Sequence, residues 1–252
     1  MKTRKLFGLH FANQSFDEAI NELVSVAIKD ARWRSPRIVV TPNVDHIVKL
    51  NRDPQLFSIY STADYIYADG APIVLASRIL RHPLIERVCG ADLFMSLCTR
   101  LSESKRKILI IGGRPGEEQL ILHRLGQIFP GLIIHIICPS MEFTDNSEES
   151  RRTLRLIGEI SPDVIFICLG MPKQELWALN NRSSINAHLV LCVGAALDFA
   201  IGKIRRAPKA MRRLGMEWLW RVISEPRRLW KRYFVDDLAF LECLAREFFR
   251  KG

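Results

Sequence analysis

Apolar residues along this chain fall into short continuous runs, separated by longer segments in which apolar and polar residues mix at helical spacing. K-L-F-G-L-H-F (5–11) predicts a strand, and Ser15 is placed to cap a helix that runs through Ile28. The β-branched run R-I-V-V (37–40) predicts a strand ending at Thr41-Pro42-Asn43. A helical pattern from His46 to about Tyr60 is interrupted near Pro54, where the missing N–H and the ring disfavour a continuous helix. Y-I-Y-A-D-G (65–70) predicts a short strand, followed by one helix to about Leu80 and another over Ala91–Leu101. The second half repeats the rhythm more clearly. Strands are predicted at K-I-L-I-I-G-G (107–113), L-I-I-H-I-I-C (132–138), V-I-F-I-C-L-G (164–170) and L-V-L-C-V-G-A (189–195). Helices are predicted over 117–128, over 148–160 and from Pro172, which suits a first helical turn.

Strands that are apolar throughout and separated by helices belong to a parallel sheet covered on both faces. The fold class is therefore α/β, a doubly wound Rossmann-like parallel sheet. Ligands of such sheets bind beyond the carboxyl ends of the strands. Here those ends carry Thr41-Pro42-Asn43, Asp69-Gly70, Gly112-Gly113, Gly170-Met171-Pro172 and Gly194-Ala195. A carboxylate at a strand end, as Asp69 is, suits general-base work, and partial desolvation would raise its pKa to a useful value. An Asp in such a place is more often the cap of the next helix. Thr41 and Asn43 can bond sugar hydroxyls or a phosphate, or simply cap the turn. The loop I-G-G-R-P-G, with Gly112, Gly113 and Arg114, offers backbone N–H groups and a helix N-terminus to an anion, or forms a tight turn. L-G-M-P-K-Q-E (169–175) follows the same plan: Lys173 is placed for a phosphate and Gln174 for a base or sugar. Lys173 as a solvated surface residue is the alternative.

The composition, 48% hydrophobic and 25% charged over 252 residues, is that of a globular protein. Charge changes the picture at one place. Of the net +10, residues 203–232 supply +9, from eleven basic and two acidic side chains, so the other 222 residues sum to about +1. This divides the chain into an α/β domain over 1–202 and a basic helical appendage over 203–252. The division excludes a uniformly basic protein and leaves a local polyanion partner. The appendage carries Trp218, Trp220 and Trp230 among its arginines, with breaks at Gly215 and Pro226. Basic amphipathic helices bearing Trp are a membrane-surface signature. Trp218, Trp220, Trp230, Arg227, Lys231 and Arg232 are accordingly the predicted membrane contacts.

No apolar stretch is long enough to span a bilayer, and Asn13, Asp17 and Glu18 follow the basic start too soon for a signal peptide. The six cysteines are dispersed without a C-x-x-C pair, as expected of reduced, buried thiols in a cytoplasmic protein. H-E-x-x-H, Walker A, G-x-S-x-G and a metal-holding D-x-D are all missing. No metal or cofactor is expected.

Taken together, T-P-N (41–43), A-D-G (68–70), E-R-V-C-G-A-D-L (86–93), I-I-G-G-R-P-G (110–116), L-G-M-P-K-Q-E (169–175) and the run from Val193 to Tyr233 resemble the WecG/TagA/CpsF glycosyltransferase family, glycosyltransferase family 26. That last run includes R-R-A-P, L-G-M-E-W-L-W-R and E-P-R-R-L-W-K-R-Y. The matches span nearly the whole chain in order. Cys89 stands where the family often has Thr or Pro. The resemblance implies an inverting transfer of a hexose unit from a UDP-sugar to a polyprenyl-diphosphate-linked sugar. It would take place at the inner face of the bacterial membrane, in the synthesis of surface polysaccharide or teichoic acid. It also implies Asp69 as catalytic base, Thr41 and Asn43 holding a substrate beside it, and Gln174 lining the donor pocket; Gly194 belongs to the strand-end substrate site read above. The basic helices would close over the site.

Without D-x-D, arginines are the expected means of neutralising the departing diphosphate, because their fork matches phosphate oxygens. Arg212, Arg221 and Arg228 are the candidates. Two other readings compete. A nucleic-acid-binding protein would use the same basic module, but no reader motif is present, so no nucleic-acid partner is expected. A nucleotide-dependent oxidoreductase lacks its G-x-G-x-x-G. A homo-oligomer, the sugar, its linkage and the polymer are all left open by the sequence.

Overall fold

The computed structural model describes residues 2–29, 35–208, 211, 217–224 and 238–250; among these the side chains of Glu217, Trp218, Arg221, Ser224 and Arg250 are not described. The chain opens with β1 (Thr3–Leu6) and β2 (Leu9–Ala12), an antiparallel hairpin. The single strand predicted over 5–11 is thus a hairpin. Phe7 and Gly8 both adopt positive φ, 51° and 79°, which is the backbone that a two-residue hairpin loop needs. Phe-Gly lacks the usual Asn-Gly signature, so the apolar run concealed the turn. Gly8 is also required by contact, since a Cβ there would lie 2.8 Å from the Phe57 ring.

Helix α1 (Phe16–Ala27) begins at Ser15, which makes a full capping box with Glu18. Next come β3 (Arg37–Val40), α2 (Val44–Arg52), α3 (Pro54–Tyr60), β4 (Tyr65–Ile66), α4 (Ala71–Ile79) and α5 (Gly90–Ser102). Asp53 caps α3 through the N–H groups of Gln55 and Leu56, and Pro54 occupies its first turn, so the predicted break falls between two helices. The second half contains β5 (Lys107–Gly112), α6 (Glu118–Ile128), β6 (Ile133–Ile137), α7 (Glu148–Ile160), β7 (Val164–Cys168), α8 (Lys173–Asn180), β8 (Leu189–Cys192) and α9 (Ala196–Ala200). Within the appendage lie α10 (Glu217–Ser224) and α11 (Ala239–Arg250).

Six strands form one parallel sheet in the order β4-β3-β8-β7-β5-β6. Its side chains divide by the period of two that a pleated strand imposes. Ile38, Val40, Leu109, Ile111, Ile165, Ile167 and Val190 enter one core layer. Val39, Ile108, Ile110, Val164, Phe166, Leu189 and Leu191 enter the other. All are fully buried, which is why these strands are apolar throughout. Helices α2, α3, α4, α7 and α8 cover the first face, while α1, α5 and α6 cover the second.

The appendage is not wholly detached from this globule. Phe240 and Cys243 of α11 are buried in the first layer, and the Phe240 ring lies 5.4 Å from that of Phe7. All six cysteines are free; five are buried and Cys168 is partly buried.

Candidate functional site

The sheet order decides which strand ends become neighbours. β8, the last strand in sequence, inserts between β3 and β7, and Val40, Cys192 and Ile167 lie level with one another in register. Thr41-Pro42-Asn43, Asp69-Gly70, Gly170-Met171-Pro172 and Gly194 therefore emerge along one stretch of the carboxyl edge. The Asp69 backbone N–H donates to the Pro42 carbonyl at 2.9 Å and ties the Asp69 turn to the end of β3.

Asp69 does not cap the helix that follows it. The cap residue of α4 is Gly70, at φ 133° and ψ 142°, and no side chain caps the helix. The capping reading of Asp69 is thereby removed, and the residue is partly buried beyond the end of β4. Asn43, by contrast, does cap: its Oδ1 accepts from the His46 N–H at 3.3 Å and starts α2. Thr41 is buried, and its Oγ1 packs against Gly90 so closely that a Cβ there would sit 2.8 Å from it. Gly90 begins α5, which anchors Thr41 from the opposite face of the sheet.

Gln174, in the first turn of α8, is 2% exposed. Its Oε1 accepts from the N–H groups of Gly170 at 3.2 Å and Gly194 at 3.0 Å, and its Nε2 donates to Glu175 Oε1 at 2.8 Å. Two backbone donors fix the orientation of the amide, because only an oxygen can face both. Gln174 thus braces the ends of β7 and β8. At both Gly170 and Gly194, which have positive φ, an added Cβ would meet nothing within 4 Å. The two glycines leave an open rim at the ends of β7 and β8, and the end of β3, to which the Asp69 turn is tied, is the next along the sheet.

Beneath that rim is a buried polar layer. Glu175 is fully buried, and burial pushes its carboxyl up to about 7, against the lowering effect of the Gln174 hydrogen bond and of Lys49. Tyr60, also fully buried, lies 3.2 Å from His46 Nδ1 through its hydroxyl. Its phenol is raised well above the usual range by desolvation and then by the nearby charges of Glu175, Cys192 and Asp69. Glu175, Tyr60, His46 and Gly90 were not singled out as site residues from sequence. Glu175 and Gly90 stand inside quoted motifs, but only the sheet order shows what they support.

The other predicted residues are placed differently. The Gly112-Gly113-Arg114 loop follows β5, which β7 separates from β8, so it lies about 10 Å along the sheet edge from Gly194. The Arg114 N–H donates to Glu117 Oε2 at 3.0 Å, and Lys203 pairs with the same carboxylate. An acid already occupies one of the amides that the anion reading would use. A Cβ on Gly113 would lie 2.7 Å from Ile121, so this glycine lets the loop pack on α6. Lys173 donates to the Met141 carbonyl at 2.9 Å.

In the appendage, Arg206 pairs with Asp92 at 2.7 Å and Trp220 Nε1 donates to the Arg205 carbonyl at 3.1 Å. Trp218 and Arg221 lie on α10. Arg212, Arg227, Arg228, Trp230, Lys231 and Arg232 lie outside the described residues. No group of three or more potential metal ligands is found among the described residues. A cavity of about 360 Å³ between the Phe7-Gly8 turn, α2 and α11 includes none of the strand-end residues in its lining.

The sequence profile of the Glycosyl transferase WecG/TagA/CpsF family matches residues 4–252. The chain belongs to this family. Two relatives of this glycosyltransferase are named N-acetylglucosaminyldiphosphoundecaprenol N-acetyl-beta-D-mannosaminyltransferase. The protein of Bacillus spizizenii is 25% identical over 233 residues, covering 92% of this chain and 87% of its own. That of Bacillus subtilis is 25% identical over 248 residues, covering 98% and 93%. No described helix of this WecG/TagA/CpsF member is long and apolar enough to cross a membrane.

Proposed function

We propose that the protein transfers a hexose unit from a UDP-sugar to a polyprenyl-diphosphate-linked sugar, with inversion and without a metal. It does so as a peripheral enzyme on the inner face of the plasma membrane, in surface polysaccharide synthesis. The observation that carries the reading is the place of Asp69. Its carboxyl is not used to cap α4, and its turn is tied to the end of β3, the neighbour in the sheet of β8 and its open Gly194. The names of the two relatives, which specify a diphosphoundecaprenol-linked sugar, support the acceptor class.

In this mechanism the acceptor hydroxyl oxygen attacks the anomeric carbon from the side opposite the diphosphate. Asp69 takes the hydroxyl proton as the new C–O bond forms. The bond to the diphosphate oxygen breaks, and its electron pair leaves with UDP. Arg212, Arg221 and Arg228 neutralise that charge, as preorganised cations do at a developing anion. Thr41 and Asn43 hold the reacting groups in line from the neighbouring strand end.

The test is a screen of UDP-hexoses, UDP-N-acetylmannosamine included, against a short-chain polyprenyl-diphosphate N-acetylglucosamine, with the product's anomeric configuration read by NMR. Wild-type turnover with inversion, abolished in Asp69→Asn and preserved in EDTA, is the expected result. Retention, or near-normal turnover in Asp69→Asn, overturns the assignment of the base. Loss in EDTA that is restored by Mg²⁺ overturns the arginine account.

A further inference from the structure

A second apolar and basic face lies far in sequence from the basic appendage. α4 buries Ile73, Val74 and Ala76, and Leu80 after it is buried too, yet Leu75 is 58%, Ile79 46% and Ile85 53% exposed. Leu75, Arg78 and Ile79 share one helix face by their spacing, and Arg78 and Arg81 are both exposed. This face is held firmly. Ser77 Oγ is buried, donates to the Val74 carbonyl at 2.6 Å and accepts from the Leu84 N–H at 3.0 Å. The Ile85 N–H donates to Asn13 Oδ1 at 3.0 Å. The apolar side chains are therefore presented outward on a braced segment. Residues 71–85 contain Arg78, Arg81 and His82 and no Asp or Glu; the exposed Glu86 that follows accepts from the Phe16 N–H at the start of α1.

We infer that the face formed by Leu75, Arg78, Ile79, Arg81 and Ile85 docks on an anionic lipid bilayer, as a contact separate from the C-terminal module. Charge selects this occupant. Pairing the face with its own copy about a two-fold axis brings arginines together with no acid in the segment to neutralise them. An anionic bilayer neutralises them and receives the three apolar side chains below its headgroups. Leu75 and Ile79 lie five and nine residues beyond Gly70, about 8 and 14 Å along the helix. Docking there holds Asp69 near headgroup level, where the diphosphate of a lipid-linked sugar lies. That purpose rests on the acceptor proposed above; the bilayer contact itself does not.

The test uses the full chain and vesicles of phosphatidylglycerol and phosphatidylcholine at 3:7, with pure phosphatidylcholine as the neutral control. Leu75→Ser/Ile79→Ser and Arg78→Glu/Arg81→Gln are each expected to lower partitioning onto the anionic vesicles by about tenfold or more. Circular dichroism and turnover of a short-chain soluble acceptor should be unchanged in both. A polarity-sensitive fluorophore on Ile79→Cys should shift to the blue with anionic vesicles and not with neutral ones.

An unshifted fluorophore, or unchanged partitioning of both variants, overturns the inference. Variants that alter the sedimentation coefficient while vesicle binding holds assign the face to a second copy and also overturn it. If the wild type turns over no UDP-sugar while the vesicle results hold, the transfer reading fails and the bilayer contact stands.

Discussion

The Gln174 side-chain oxygen accepts from the Gly194 backbone N–H at 3.0 Å, joining the first turn of α8 to the end of β8. The same oxygen accepts from the Gly170 N–H. Gln174→Leu leaves both donors without their partner, and an unsatisfied buried donor costs about 1–3 kcal/mol. Gln174→Glu keeps an acceptor oxygen but loses the Nε2 donor and sets a second buried carboxyl against Glu175. Both variants are expected to be less stable than the wild type in urea titrations, with turnover falling more steeply than stability. Equal stability of wild type and Gln174→Leu would show that the brace contributes nothing.

Glu175 gives the protein a pH dependence opposite to that of paired surface carboxylates. Its folded pKa of about 7 lies above the ordinary 4.5, so between those values the folded state holds a proton that the unfolded chain has released. Stability therefore falls as pH rises through this window, by about 3 kcal/mol in total from this group. Glu175→Gln stays neutral and can still accept from Gln174 Nε2. Its stability from denaturant titrations at pH 5 and pH 8 should be more nearly equal than that of the wild type, with the gain at pH 8. A parallel decline in both proteins would assign the window to other groups.

Gly90 and Thr41 are predicted to be energetically coupled. A Cβ on Gly90 would sit 2.8 Å from Thr41 Oγ1 and 3.4 Å from Val193 Cα. Gly90→Ala should cost about 1–3 kcal/mol, as overpacking does, and displace Thr41. Adding Thr41→Ala removes the nearest atom, so the double variant should be more stable than the sum of the single losses. Strict additivity in the double-mutant cycle would place the strain elsewhere.

Ion pairs tie two cations of the basic module to the globule. Lys203 pairs with Glu117 and Arg206 with Asp92, both on the globule. Lys203→Ala/Arg206→Ala should leave the salt dependence of binding to anionic vesicles nearly unchanged. Arg227→Ala/Arg228→Ala should reduce it, with vesicle sedimentation at several salt concentrations as the measurement. Equal effects of the two pairs would contradict the predicted membrane contact at this segment.

Much of this was legible in the chain alone. Runs such as Ile108–Ile111 and Val164–Ile167 are buried on both faces of the sheet, so their unbroken apolar character states parallel strands under two helical layers. Ser15, with Glu18 three residues on, marks the start of α1 through local hydrogen bonds that need no distant partner. The hairpin at Phe7-Gly8 was hidden, because its two positive φ angles leave no trace in an apolar run without Asn or Asp.

Asp69 was identifiable as a polar residue at a strand end, but an Asp there is more often a helix cap. The choice depends on Gly70 taking the cap and on the Pro42 carbonyl holding the Asp69 N–H, contacts made across separate strands. Gln174 and Glu175 were visible in L-G-M-P-K-Q-E, but their roles as brace and buried acid were not. Those roles arise because β8, the last strand in sequence, lies between β3 and β7. Local residue patterns determined the elements, the α/β class and which strand ends carry polar groups, since each depends on neighbours a few positions away. Which of those ends lie side by side was decided by strand order, a property of long-range pairing that no local pattern encodes.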